Sequence, residues 1–218
     1  GQCLKTLAGH TSRIWSLAFS PQDHILVSGS DDQSLRLWDS HLGQCLKTWQ
    51  GHTYKIFPVV YSPDGKLLAS SGDEQIIRLW QVETGECCCI LENHGSRLES
   101  LAFSPDGRTL LSGGEDKLIR LWDIQTRQCL KVFQGHSKQV WTVDIHPSDR
   151  CFASSGEDGT IWLWDIDTGQ CLKVLENHTN WILTIRFSPD GRYLASASHD
   201  QTVKLWDART GQLLKTLK

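Results

Sequence analysis

A 42-residue unit returns five times along this chain without a single insertion. The first copy opens on Gly9-His10. It runs through Ile14-Trp15-Ser16-Leu17-Ala18-Phe19-Ser20-Pro21 and Leu26-Val27-Ser28-Gly29-Ser30-Asp31-Asp32, and it closes on Leu35-Arg36-Leu37-Trp38-Asp39. The histidine returns as His52, His94, His136 and His178, and the tryptophan as Trp80, Trp122, Trp164 and Trp206. A fixed period of this size points to a solenoid, a propeller or an array, in which each unit is covered by its neighbours.

Inside one unit the pattern is that of strands. Ile14, Leu17 and Phe19 lie in a short apolar run ended by Ser20-Pro21. The ending is fuller in Ser62-Pro63-Asp64-Gly65, Ser104-Pro105-Asp106-Gly107 and Ser188-Pro189-Asp190-Gly191. Proline presets the first turn angle, aspartate caps the turn and glycine tolerates the left-handed position. Further runs cover Ile25 to Ser28, Leu35 to Trp38 and Cys45 to Thr48. Four short runs bounded by turn residues predict an antiparallel four-stranded meander. One such sheet cannot cover its own faces, so five must stack.

The Gly-His opening, the Trp-Asp close and the 42-residue spacing resemble the WD40 repeat family over the whole chain. The near-identical Gly-Gln-Cys-Leu-Lys units are similar in style to bacterial, cyanobacterial-type arrays. The resemblance implies an all-β WD40 β-propeller of five four-stranded antiparallel blades, part of a larger ring of the seven-blade type. It makes residues 1–218 one propeller segment, with repeats at 1–42, 43–84, 85–126, 127–168 and 169–210 and a final outer strand at 211–218. Departures are few: Gln81 stands where the other repeats have aspartate, and Asn93 and Asn177 where they have glycine.

Residues 1–8 match the fourth strand of a blade whose first three strands are missing, which makes six outer strands for five inner units. This surplus, with the absence of methionine, leads us to expect an excerpt of a longer array or an engineered or processed piece. The expected arrangement is an incomplete ring with seven-blade curvature. Its terminal faces would be covered by neighbouring blades, a second chain or a partner.

Composition narrows the function classes. Apolar residues make up 39% and charged residues 22%, which suits an ordinary globular chain rather than a disordered one. No apolar run approaches the roughly 20 residues of a membrane helix, and no signal peptide opens the chain, so no membrane partner is expected. A net charge of −3, with Lys and Arg spread evenly, argues against nucleic acid, which selects a basic stripe. Of eight cysteines, Cys3, Cys45, Cys87, Cys129 and Cys171 share one repeat position. On separate blades they are too far apart for disulfides. Cys87-Cys88-Cys89 resembles no paired zinc pattern. No metal or cofactor is expected, and the unpaired thiols suit a reducing cytoplasm.

Two constellations carry the chemistry. The first is His10, Ser28, Asp32 and Trp38, returning as His52, Ser70, Glu74, Trp80; His94, Ser112, Asp116, Trp122; His136, Ser154, Asp158, Trp164; and His178, Ser196, Asp200, Trp206. The family resemblance makes these structural tetrads. A carboxylate can accept from imidazole, a hydroxyl can take both roles, and the indole N–H only donates. A nucleophilic triad would need one copy with a substrate cleft, so five copies read as a fold device and the chain as no enzyme. Glu74 is one methylene too long, so its bond to His52 is expected to be displaced or lost, and its removal to cost less than that of an aspartate.

The second constellation is what the repeats do not share. At the start of the inner strand stand Arg13 and Trp15, Lys55 and Phe57, Arg97 and Glu99, Gln139 and Trp141, Trp181 and Leu183, with Tyr54 beside them. The turn before each tetrad acid adds Asp31, Asp73, Glu115, Glu157 and His199. By resemblance this end is the top face of a propeller, and aromatic and Arg anchors among charges are what interfaces use. Trp15, Phe57 and Trp141 equally suit packing between blades, whereas Tyr54 and Trp181 are harder to explain so. The expected function is a non-catalytic protein–protein interaction scaffold, the sensor or docking part of a larger chain, with a protein or peptide on its top face. The alternative is a small-ligand-binding or enzymatic propeller using the central channel. His24, His41 and His146 read as solvated turn residues.

Overall fold

The computed structural model describes residues 2–92, 94–148 and 150–218, so Asn93 lies outside the described residues. Among the described residues twenty strands form five four-stranded antiparallel meanders, each in sequence order. Two compact units divide the chain, Gly1–Leu98 and Glu99–Lys218. The first holds the sheet β1 (Ile14–Phe19), β2 (Ile25–Ser30), β3 (Leu35–Asp39), β4 (Gln44–Trp49) and the sheet β5 (Ile56–Tyr61), β6 (Leu67–Gly72), β7 (Ile77–Gln81), β8 (Cys87–Leu91). In the second, β9 (Leu98–Phe103) starts at the boundary and joins β10 (Thr109–Gly114), β11 (Ile119–Asp123) and β12 (Cys129–Phe133). Two more sheets follow: β13 (Val140–Ile145), β14 (Cys151–Gly156), β15 (Thr160–Asp165), β16 (Cys171–Glu176); and β17 (Ile182–Phe187), β18 (Tyr193–Ser198), β19 (Val203–Asp207), β20 (Leu213–Leu217). These are WD40-type blades. Among the described residues no helix is long and apolar enough to cross a membrane.

The turn chemistry behaves as its residue types require. In Ser62-Pro63-Asp64-Gly65 the Ser62 hydroxyl donates to Asp64 Oδ1 at 2.7 Å, and Lys66 N–H donates to the same oxygen at 3.1 Å. Gly65 takes φ 68°, the left-handed conformation that glycine adopts without a Cβ penalty.

One packing rule serves every described junction. Val27, Leu35, Leu37 and Trp49 of the first sheet bury Ile56, Val59, Leu68 and Trp80 of the second. In the second unit Leu111, Ile119, Leu121 and Phe133 meet Val140, Val143, Phe152 and Trp164. Ala153, Ile161, Leu163 and Leu175 meet Ile182, Ile185, Leu194 and Trp206 in the same way. Fully burying each aliphatic side chain contributes about 1.5–3 kcal/mol. Backbone bonds stitch the same seams: Val59 N–H donates to Ser16 Oγ, Val143 N–H to Ser100 Oγ, and Phe187 N–H to Asp144 Oδ2.

In β1 and β19 the same positions stand open. Leu17 is 59% exposed against 2% for Val59, its counterpart one repeat on. Val203 of β19 is 41% exposed against 0% for Leu35 of β3. The expected sixth outer strand is not a strand: residues 2–8 pair with no sheet. A strand is defined by a ladder partner, and no sheet of the described residues supplies one.

Residues 2–8 nevertheless hold to a second recurring contact. A lysine at the outer-strand position reaches the last turn of the sheet that follows it in sequence. Lys5 Nζ donates to His41 O, Lys47 Nζ to Glu83 O at 2.6 Å, Lys131 Nζ to Asp167 O at 2.5 Å, and Lys173 Nζ to Thr210 O at 2.6 Å. Glycine at Gly43, Gly169 and Gly211 leaves room: a Cβ there would come within 3.1–3.2 Å of the crossing lysine's Cδ. In β8 the lysine position is Cys89, and 38 residues on Arg127, at φ 63°, holds the glycine position.

Candidate functional site

A tetrad joins the second and third strands of a sheet, the turn between them and the loop that leads into the first strand. The Trp38 indole N–H donates to Ser28 Oγ at 2.8 Å, Ser28 Oγ lies 2.6 Å from His10 Nε2, and His10 Nδ1 lies 2.8 Å from Asp32 Oδ2. Indole cannot accept, so the serine oxygen receives its proton and the hydroxyl proton is left for Nε2. Nδ1 of the same ring faces the carboxylate. The geometry returns in the fourth repeat (Trp164, Ser154, His136, Asp158) and the fifth (Trp206, Ser196, His178, Asp200), with contacts of 2.7–2.9 Å. In the third, Trp122 donates to Ser112 Oγ at 2.8 Å, and His94, the histidine of that repeat, is itself buried.

The second repeat departs from expectation. Glu74 keeps its bond to His52, and its second oxygen accepts from Arg78 Nη2 at 2.9 Å. The extra methylene lets one carboxylate serve two partners, so the bond is not lost. Residues two beyond the acid, which sequence reasoning missed, explain the variation. Ser34, Thr160 and Thr202 donate their hydroxyls to Asp32, Asp158 and Asp200. Ile76 and Leu118 cannot, and in those repeats Arg78 and Arg120 hold Glu74 and Asp116 instead. Aligning the repeats at this offset carries the signal.

The electrostatics follow from burial and these bonds. Burial pushes the Asp32 and Asp200 carboxyls up, but hydrogen bonds from Ser34 and His10, and from Thr202 and His178, more than offset it and hold both well below the usual range. Glu74 is likewise raised by burial and brought down to about 2 by His52 and Arg78. Burial lowers His52 and His178 against the pull of their carboxylates. The tetrad serines are at most 1% exposed. A hydroxyl closed to solvent and already bonded to indole and imidazole presents no nucleophile to a substrate.

The unshared positions gather differently in the two units. In the first, the Arg13 guanidinium carbon lies 5.6 Å from the Trp15 ring, Trp15 lies 5.3 Å from Phe57, and the Arg97 guanidinium carbon lies 4.9 Å from the Phe57 ring. The Trp15 indole N–H donates to Asp31 Oδ1 at 2.6 Å. Tyr54 and Lys55 are exposed alongside. In the second unit Trp141 meets Trp181 edge-on at 5.3 Å, Trp181 meets His199 at 5.6 Å, and the Trp141 indole N–H donates to Gln139. Lys138 pairs with Glu157 at 3.4 Å, and Glu99 is half-buried in β9. Trp15, Phe57 and Trp141 are therefore packed and partly exposed together, where the sequence posed these as alternatives.

The backbone explains why these positions are free to differ. The ladder of the inner strand slips between Ile14 and Ser16, between Ile56 and Val59, between Val140 and Thr142, and between Ile182 and Thr184. Trp15, Phe57, Trp141 and Leu183 sit in these bulges, where an extra residue leaves the strand alternation and its side chain is re-aimed. Nothing in the residue types announces the bulge. Among the turn histidines, His24 stacks on His41 at 4.6 Å, and His146 Nε2 donates to Gly191 O at 2.9 Å, so neither site is simply solvated. Among the described residues no three or more His, Cys, Asp or Glu side chains converge on a metal site.

Comparison with known proteins places five matches to the WD40 family model, described as WD domain, G-beta repeat, at residues 1–39, 43–81, 85–123, 127–165 and 169–207. Among similar curated proteins, nuclear distribution protein PAC1 of Arthroderma benhamiae is 56% identical over 39 residues, 18% of this chain and 8% of that protein. Nuclear distribution protein nudF of Aspergillus flavus is 51% identical over 39 residues, 18% and 9% of the two chains. Pre-mRNA-processing factor 19 of Oryza sativa subsp. japonica is 47% identical over 38 residues, 17% and 7%. The likeness thus spans less than a tenth of each relative's length, about one repeat. These relatives are fungal and plant proteins and lend no support to a bacterial style.

Proposed function

Because the chain belongs to the WD40 repeat family, we propose that it is a non-catalytic protein-interaction scaffold whose partner, a protein or peptide, seats on the end where the first strands begin. The observation that carries this reading is the bulge. The blade holds its tetrads constant and buried, and in the same sheets displaces the variable side chains Trp15, Phe57 and Trp141 from the strand pattern. Trp15 and Tyr54 are 46% and 58% exposed, and exposed aromatic side chains flanked by Arg and Lys suit an interface core. The contact set comprises Arg13, Trp15, Tyr54, Lys55, Phe57 and Arg97 in the first unit and Glu99, Gln139, Trp141 and Trp181 in the second. The open positions around Leu17 and Val203 match those covered at every described junction. They support a further repeat unit, supplied by this protein or another chain, as their cover. Cys45, Cys87, Cys129 and Cys171 of the outer strands stand outside any disulfide and suit a reducing cytoplasm.

A pull-down with the intact protein, repeated with Trp15, Trp141 and Trp181 all changed to Ala, tests the reading. The triple variant should melt close to the wild type and lose the partners the wild type retains. Retention of every partner, or labelling by a serine-directed covalent probe, would overturn it.

A further inference from the structure

The two units build the same blade but charge its variable end differently. At one repeat position, two before Trp15, Phe57 and Glu99, the first unit carries Arg13, Lys55 and Arg97, whereas at the same position the second carries Gln139 and Trp181. The blade forms equally well with either set, so folding does not demand the cations. The two arginines are also held in place. Arg13 lies on Trp15, Trp15 packs on Phe57, and Phe57 carries Arg97. A guanidinium over an aromatic face is restrained by the ring while its N–H edge stays available to a planar acceptor. Of the two carboxylates at this end, Asp31 is engaged by the Trp15 indole. The tetrad acids Asp32 and Glu74 are spent on their histidines.

We propose that this end of the first unit binds an acidic peptide segment, whose carboxylates meet Arg13 and Lys55 while an adjoining apolar side chain covers Trp15 and Tyr54. The proposal rests on the interaction-scaffold reading and specifies its partner. Aromatic rings among cations also suit single-stranded nucleic acid. Asp31 and Asp73 interleaved with the cations, and a net charge of −3, disfavour a continuous polyanion.

The test is selection of a random twelve-residue peptide display library on the intact chain, followed by affinity measurement on the selected peptides. Arg13 and Lys55 are exposed, so a double variant Arg13→Glu, Lys55→Glu should melt like the wild type. Selected peptides should be net acidic, the double variant should bind them about tenfold or more weakly, and the charge-conserving pair Arg13→Lys, Lys55→Arg should recover most of the affinity. Peptides without acidic bias that are lost on Trp15→Ala would overturn the acidic partner and leave the interaction face standing. Peptides indifferent to Trp15→Ala would overturn both. A uridine dodecamer that displaces the peptides at lower concentration than they displace one another would overturn the proposal in favour of a nucleic-acid strand.

Discussion

β1 and β5 are one strand written twice, yet Ile14 and Leu17 face solvent while Ile56 and Val59 are sealed. The ladder partner is the matching second strand in both; the difference is that β5 packs against the preceding sheet. A WD40-type blade therefore supplies half of each core and depends on the preceding repeat for the other half. Apolar periodicity marks a face that is meant to be covered, without saying by what.

The largest test of this contrast is truncation at matched positions. Ile56→Ala should cost about 2–5 kcal/mol, the range for a sealed aliphatic side chain that leaves a cavity. Ile14→Ala, at 45% exposure, should cost under about 1 kcal/mol, since surface changes stay small. Urea denaturation of both variants checks the pair, and equal losses would show that β1 is covered in solution.

A second test sharpens the contrast between the second sheet and the others. Removing Glu74 strands both a buried imidazole and a guanidinium that is 15% exposed. Removing Asp158 strands the His136 imidazole and neutral donors. Glu74→Ala should therefore cost at least as much as Asp158→Ala, each falling in the range of about 1–3 kcal/mol for unsatisfied buried groups. This reverses the ranking expected from chain length alone. Thermal melts in which Glu74→Ala is the milder change would contradict it.

The smallest effect is pH dependence. His52 and His178 sit below their ordinary 6.5 in the folded chain, so the unfolded chain takes up their protons first. That contribution to stability is whole above pH 6.5 and is lost as pH falls below it. Glu74 drops from 4.5 to about 2 on folding, so its contribution is whole above pH 4.5 and is lost as pH falls toward 2. Both losses run toward acid, each with a slope of at most about 1.4 kcal/mol per pH unit for a single proton. Melting temperature should be level near neutrality and decline in two stages, with Glu74→Gln weakening the lower one. A rise in stability between pH 6.5 and 5 would be incompatible with neutral buried histidines.

The blades were legible because their signals are local and repeated: the Ser-Pro-Asp-Gly turn, the Trp-Asp close and the apolar runs all act within one unit. The positions of His10, Ser28, Asp32 and Trp38 could be read for the same reason. The two-partner role of Glu74 could not, because it depends on Arg78 lying one strand turn away and on Ile76 offering no hydroxyl. The bulges at Trp15 and Trp141 were illegible for a different reason. A bulge is a mismatch between two strands, and residue types along one strand do not record it. Which face of β1 would be open depended on what lies beyond the repeat, and no side chain encodes its neighbour's presence.

The lysine that crosses from one outer strand to the next repeat's last turn has a consequence for heredity. Its donor and acceptors stand 35 to 37 residues apart. Copying or deleting a whole 42-residue unit therefore regenerates the contact at the new seam, whereas gaining or losing one residue between donor and acceptor moves the lysine out of reach. Length is thus conserved by mechanics while copy number is left free to drift. Cys89 and Arg127 mark the one interval where both members of the lysine–glycine pair have changed. The turn there keeps its left-handed backbone with a bulky residue, as a lineage could do once no lysine needed the open side.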